Sequence, residues 1–150
     1  MNTATLPPTS ASHAVNRLVP FIHVADVRAS LDFYALLGFV PQSTMKDDRG
    51  DAYWALAKSG AAEIMLARAS GPVDAEQQAV ILYMYSADVA GLRQRLLSGG
   101  VRDRGVYRGA WQPGDGPRTV YAVAHPAYMP AGELRIVDPD GYIILAGQLG

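Results

Sequence analysis

Apolar and polar positions along this chain fall into short runs, and two groups of runs read almost alike. Residues 17–25, RLVPFIHVA, are short and rich in apolar and β-branched side chains, which is the pattern of a strand. Asp26 follows, suited to cap a helix by accepting backbone N–H bonds. Val27, Leu31, Tyr34 and Leu37 then recur at helical spacing, and Gly38 supplies the left-handed stop. Three more strand-like runs come next: FVPQSTMK, AYWALAKSG and AEIMLARAS. The turn-forming stretches DDRGD and SGAA separate them. The predicted order is β-α-β-β-β.

The second group repeats that order. AVILYMYSA reads as a strand, Asp88 as the cap, and Val89, Leu92 and Leu96 as the buried stripe of a helix closed by Gly99 and Gly100. TVYAVAH and ELRIVD are further strands, and DPDG at 138–141 is a tight turn before YIILAGQ. A spacing of 62 residues separates Asp26 from Asp88. That is too long for a solenoid unit and suits a duplicated supersecondary module. Strand, Asp cap, helix and glycine form a common sentence. The matching order of the later elements favours duplication over chance.

Composition narrows the reading. At 150 residues the chain suits one compact domain or two small modules sharing a core. With 49% hydrophobic and 18% charged residues it can bury a substantial core. The net charge of −1 leaves no basic stripe to drive nucleic-acid binding. No cysteine is present, which excludes disulfides, thiolate metal sites and a cysteine nucleophile. No apolar run approaches the length needed to span a bilayer. The first 16 residues, MNTATLPPTSASHAVN, lack a signal-peptide pattern and read as a flexible tail, so a cytoplasmic location is expected. The expected organisation is a tail at 1–16, a first module at 17–72 and a second at 73–150.

Two such modules, with VADVRASLDFYALLGF, AEIML and ELRIVDPDGYIILAGQ as the specific stretches, resemble the vicinal oxygen chelate superfamily. That superfamily contains glyoxalase I, bleomycin-resistance proteins and extradiol dioxygenases. The resemblance covers roughly residues 17–150. It implies an α+β fold in which two tandem β-α-β-β-β modules form a curved sheet around a cleft. It also implies a homodimer, often with strand or module exchange between subunits.

Metal-using members of that superfamily place a His on the first strand of each module and a Glu on the last strand, so that a cation can act as a Lewis acid. The corresponding positions here are Val19, Ile81 and Leu145. None can coordinate a cation, and a slip of one residue gives Pro20, Leu82 and Ile144 or Ala146, which cannot either. His23 would need a new partner such as Glu133 to build a site. The chain therefore looks closer to the bleomycin-resistance branch, with no metal or other cofactor expected and no catalytic residue assigned.

Strand alternation puts Pro20, Ile22 and Val24 beneath the helix and Phe21 and His23 on the opposite, cleft-facing side. The same parity puts Tyr83 and Tyr85 toward the cleft. Four rings there would make a stacking surface for a planar ligand, or would simply fill a barrel interior. Tyr53 and Trp54 point in opposite directions, and the pattern does not say which ring reaches the cleft; Trp54 is carried as a candidate ligand-binding residue. Glu133 and Arg135 share one face and would offer an acceptor and a charged donor, or form a surface pair. Residues 103–118, DRGVYRGAWQPGDGPR, read as a long loop, and Trp111 within it would suit a cover over the ligand. The acids of DPDG read as turn formers, and Ser30 as structural.

The expectation that follows is a metal-independent protein that binds a small, aromatic, drug-like molecule and sequesters it, with no nucleic-acid or membrane partner. Two alternatives stay open. One is a lyase, isomerase or dioxygenase-type enzyme with an atypical site. The other is a protein-interaction scaffold whose cleft is filled.

Overall fold

The computed structural model describes residues 13–74, 79–109 and 116–150. The first twelve residues of the expected tail, and Trp111, lie outside the described residues. The first half of the chain builds β1 (Phe21–Val24), α1 (Val27–Ala35), β2 (Val40–Lys46), β3 (Ala52–Ser59) and β4 (Ala62–Arg68). The second builds β5 (Ile81–Tyr85), α2 (Val89–Ser98), β6 (Arg102–Asp103), β7 (Thr119–Val120), β8 (Glu133–Val137) and β9 (Ile143–Gly147). The strands form two sheets, ordered β1-β4-β3-β2 and β5-β9-β8-β7-β6.

In each half the first strand runs parallel to the last, and the last antiparallel to the one before it. The α+β class and the two-sheet arrangement agree with the sequence reading. Both helices start as their caps require. The Asp26 carboxylate accepts from the Ala29 amide at 3.0 Å, and that of Asp88 from the Gly91 amide at 2.9 Å. Gly38 follows α1 with φ +95°, a conformation that only glycine adopts without strain.

Two element assignments change. TVYAVAH is a regular strand only at Thr119–Val120. Past Tyr121, whose amide still bonds the Arg135 carbonyl, the Ala122 amide turns to the Gly105 carbonyl at 2.7 Å. Regular pairing with β8 lapses there until Ala124 bridges Glu133. The stretch read as loop begins with a short strand instead: β6 lies parallel to β7, with the Arg104 amide donating to the Val120 carbonyl at 2.8 Å. The first strand also starts later than its apolar run. The carbonyl of Pro20 accepts from Met65, but proline has no N–H with which to extend the ladder.

A single apolar cluster draws on the helix-side faces of both sheets, including Val24, Phe33, Ile64 and Leu66 from the first half and Leu96, Leu134, Ile136 and Ile144 from the second. The halves meet through their helices. Leu36, just past α1, packs so closely on Gly99 that a Cβ there would lie 2.6 Å from its side chain. The Arg95 guanidinium donates to the Ala35 carbonyl at 3.2 Å.

A buried polar staple reinforces this junction. The hydroxyl of Tyr34 on α1 donates to Asp138 at 2.7 Å, with both residues fully buried. The other oxygen of Asp138 accepts the amides of Asp140 and Tyr142. Asp140 in turn accepts the Ala25 amide at 2.8 Å. The DPDG acids thus bond local backbone, as read from the sequence, and also tie the turn to the first half of the chain. Burial is the largest influence on Asp138 and raises its pKa from 3.8 to about 6.

Candidate functional site

Covering one side of each sheet with helices leaves the other side open. On the first sheet, β1 alternates as expected: Ile22 and Val24 are buried, while Phe21 and His23 are exposed. Register carries that open face across the sheet. Phe21 pairs with Met65 and Met65 with Leu56; His23 pairs with Ala67, Ala67 with Trp54, and Trp54 with Met45. Trp54 therefore shares the open face with His23, and Tyr53 lies on the opposite side, near the Arg68 guanidinium at 6.0 Å. The rings of Phe21 and His23 meet edge-on with centroids 5.6 Å apart.

On the second sheet the open face carries Tyr83 and Tyr85, whose ring centroids are 5.3 Å apart. Tyr83 pairs with Leu145 and Leu145 with Arg135; Tyr85 pairs with Gly147 and Gly147 with Glu133. Glu133 is the centre of a hydrogen-bonded cluster. One of its carboxylate oxygens accepts the Tyr83 hydroxyl at 2.7 Å and the other the Tyr128 hydroxyl at 2.8 Å. Desolvation first, and then the bond to Glu133, push the Tyr83 phenol above its ordinary range. The bond to Glu133 is the largest influence raising Tyr128. Both phenols therefore keep their protons at neutral pH. Gly147 makes room for this cluster, because a Cβ there would lie 2.8 Å from the Tyr83 hydroxyl oxygen.

Arg135 is engaged differently. Its guanidinium lies 3.9 Å from the centroid of the Tyr107 ring, which itself meets Tyr121 edge-on at 5.2 Å. Sequence reasoning named Glu133 and Arg135 but missed Tyr107, Tyr121 and Tyr128. Tyr107 and Tyr128 sit on loops, where no periodicity announces which way a ring points.

Within one chain the candidate residues divide into two sets. Phe21, His23 and Trp54 share the open face of the first sheet; Tyr83, Tyr85, Glu133 and Arg135 share that of the second. No ring contact joins the sets among the described residues. His23 and Glu133, the pair considered for an atypical catalytic site, stand on different sheets. A groove of about 1040 Å³ lies between the two halves of the chain, lined by Leu18, Phe39 and Ile64 from the first and by Tyr83, Tyr85 and Ile144 from the second; Phe21 and His23 do not line it.

The positions that would hold a metal in this fold do not fit one. Leu145 shares the Tyr83 row, Ile81 stands next in parity on the same strand, and Val19 precedes β1. All three present only hydrocarbon. Among the described residues, no group of three His, Cys, Asp or Glu side chains converges.

Solved structures share this fold across nearly the whole chain. A bleomycin resistance determinant encoded on the transposon Tn5 is 18% identical, with 89% of this chain and 98% of that one covered and a TM-score of 0.64. A bleomycin-binding protein complexed with bleomycin is 18% identical, with coverage of 91% and 100% and a TM-score of 0.64. A glyoxalase-related enzyme from Clostridium phytofermentans is 14% identical, with coverage of 92% and 98% and a TM-score of 0.60. No family model matches the chain, and no curated protein sequence does. The fold is that of bleomycin-resistance and glyoxalase-related proteins.

Proposed function

We propose that this protein binds a small, at least partly aromatic molecule without a metal and sequesters it, working as a homodimer. The observation that carries this reading is the pair of open, aromatic sheet faces. Phe21 is 52% exposed, Met45 53% and Tyr85 63%, which is unusual for rings and thioethers on regular strands. Each face offers stacking area; loop residues Tyr107, Tyr128 and Met129 cover part of the second and leave Tyr83 and Tyr85 exposed.

A second copy meets both needs. In the proposed dimer, the first-sheet face of one protomer closes over the second-sheet face of its partner, and two-fold symmetry makes two such clefts. β1 and β5 also end their sheets and present unpaired backbone along one side, which a partner would cover. Phe21, His23 and Trp54 then stand opposite Tyr83, Tyr85, Glu133 and Arg135. A bound planar compound would stack between the two sets. The fold neighbours whose names refer to bleomycin support a binding role, and the aliphatic side chains at Val19, Ile81 and Leu145 support one without a metal.

The test is a fluorescence-quenching titration with planar aromatic compounds, on wild type and on Tyr83→Ala, with light scattering of the same samples. The expected mass is near twice 16.0 kDa. Tyr83→Ala is expected to weaken binding by about 1–3 kcal/mol, the scale of one aromatic contact. Because Tyr83 is 39% exposed, the apo protein is expected to keep most of its stability. A monomer at all concentrations, or wild type that binds no aromatic compound, overturns the proposal.

A further inference from the structure

Glu133 is largely buried, 9% exposed, and both of its oxygens already accept a phenol proton, from Tyr83 and from Tyr128. An ionised carboxylate has about four lone-pair sites, so roughly two remain. The two phenol oxygens have spent their only protons on Glu133, so they too have only lone pairs left to offer. The cluster presents acceptors and no donor. Beside it, the tilted rings of Tyr83 and Tyr85 add π faces, whose quadrupole favours positive charge. Arg135, two residues along the same strand face from Glu133, stacks on the Tyr107 ring at 3.9 Å.

From this arrangement we infer that the ligand is an organic cation, an aromatic or apolar body bearing an ammonium group, and that Glu133 receives the ammonium through N–H donation while Tyr83 and Tyr85 flank it. The inference rests on the reading of this face as a ligand site, and it adds the charge of the ligand. A neutral hydroxyl can donate one hydrogen bond to the cluster, whereas an ammonium donates up to three and brings the opposite charge. A carboxylate ligand meets lone pairs and a like charge.

Three probes of one shape separate the possibilities: 1-naphthylmethylamine, 1-naphthylmethanol and 1-naphthylacetate, titrated into the full-length protein at pH 7. The amine is expected to bind at least about tenfold tighter than the alcohol, and the acetate weakest. Glu133→Gln keeps the size and removes the charge. It is expected to bring the amine within two- to threefold of the alcohol, roughly the spread left by neutral hydrogen bonds.

A second variant guards against a misfolded first one. Tyr128 is 67% exposed, so Tyr128→Phe leaves the packing in place and frees one carboxylate lone pair. Amine affinity is expected to rise in Tyr128→Phe by more than alcohol affinity does. Equal binding of all three probes, tightest binding of the acetate, or unchanged or weaker amine binding in Tyr128→Phe overturns the cation assignment and leaves aromatic binding standing. Failure of every probe to bind removes both.

Discussion

Replacing Tyr34 with Phe deletes one oxygen atom from the staple between the two halves of the chain, and its cost is expected to depend on pH. In wild type, Asp138 is raised from 3.8 to about 6, chiefly by burial, although the Tyr34 hydroxyl and two backbone amides pull it down. The folded state therefore holds a proton on Asp138 more tightly than the unfolded chain does. That contribution to stability is fully present below about pH 4 and is lost as pH rises through about 6. A shift of this size is worth about 3 kcal/mol. At pH 8 the carboxylate is ionised and fully buried, and the bond from Tyr34 at 2.7 Å is a charge-assisted one. Its removal is expected to cost about 1.5–3 kcal/mol. At pH 5 Asp138 is mostly protonated, the bond is between neutral groups, and the loss falls to about 0.5–1.5 kcal/mol. The difference corresponds to a rise of about one pH unit in the Asp138 pKa of the variant. Urea denaturation of both proteins at pH 5 and pH 8, at one fixed protein concentration, measures it. The subtraction cancels every other titrating group that the substitution does not touch. Equal losses at the two pH values, or a larger loss at pH 5, would refute the placement of Tyr34 against an ionisable Asp138.

Two further outcomes are expected. Adding Zn²⁺, Ni²⁺ or Mn²⁺ should leave the melting temperature unchanged, because Val19, Ile81 and Leu145 offer no lone pair; a stoichiometric, stabilising metal would disprove this through mass action on the native state. Gly147→Ala places a methyl group 2.8 Å from the Tyr83 hydroxyl oxygen and 2.9 Å from the end of Met129, so the hydroxyl must shift. It should weaken binding of an aromatic amine by about tenfold, comparable to one hydrogen bond of about 1–1.5 kcal/mol, and a calorimetric titration that shows wild-type affinity would remove Gly147 from the site.

The parts of this protein that were legible in its sequence are those governed by local periodicity. The Asp caps, the glycine stops and the alternation of Phe21, Ile22, His23 and Val24 all follow from rules that act over a few residues, and each appears in the structure. The duplicated module was legible for the same reason, since it repeats those local signals in the same order. Where a residue's surroundings come from afar, the sequence was silent. Nothing near Ala122 shows that regular pairing with β8 will lapse there while its amide bonds Gly105. Nothing near Tyr128 shows that a loop will bring its hydroxyl back to Glu133. The DPDG turn was read correctly as local backbone chemistry, yet three of the five hydrogen bonds to its carboxylates come from Ala25, Ser30 and Tyr34, more than a hundred residues away.

The division of the aromatic residues into two faces has a physical origin that parity alone could not reveal. Alternation states which side of a strand a residue takes, and it states this correctly for β1 and β5. It does not state which sheet face is turned toward which. Here the helix-covered faces feed one shared core, with Phe33, Leu66, Leu96 and Ile136 all buried together. Two sheets that turn their covered faces inward must turn their open faces outward. Residues expected to meet across one cleft therefore lie apart in the single chain, and the proposed partner copy would bring them together. The choice of inner face was made by the apolar side of each strand, Ile22 and Val24 in one copy and Ile144 and Ala146 in the other. The rings left outside, Phe21 and Tyr85 among them, are those that the proposed partner and ligand would cover. Assembly and ligand recognition are thus one structural question, and a dimer that fails to form should also fail to bind.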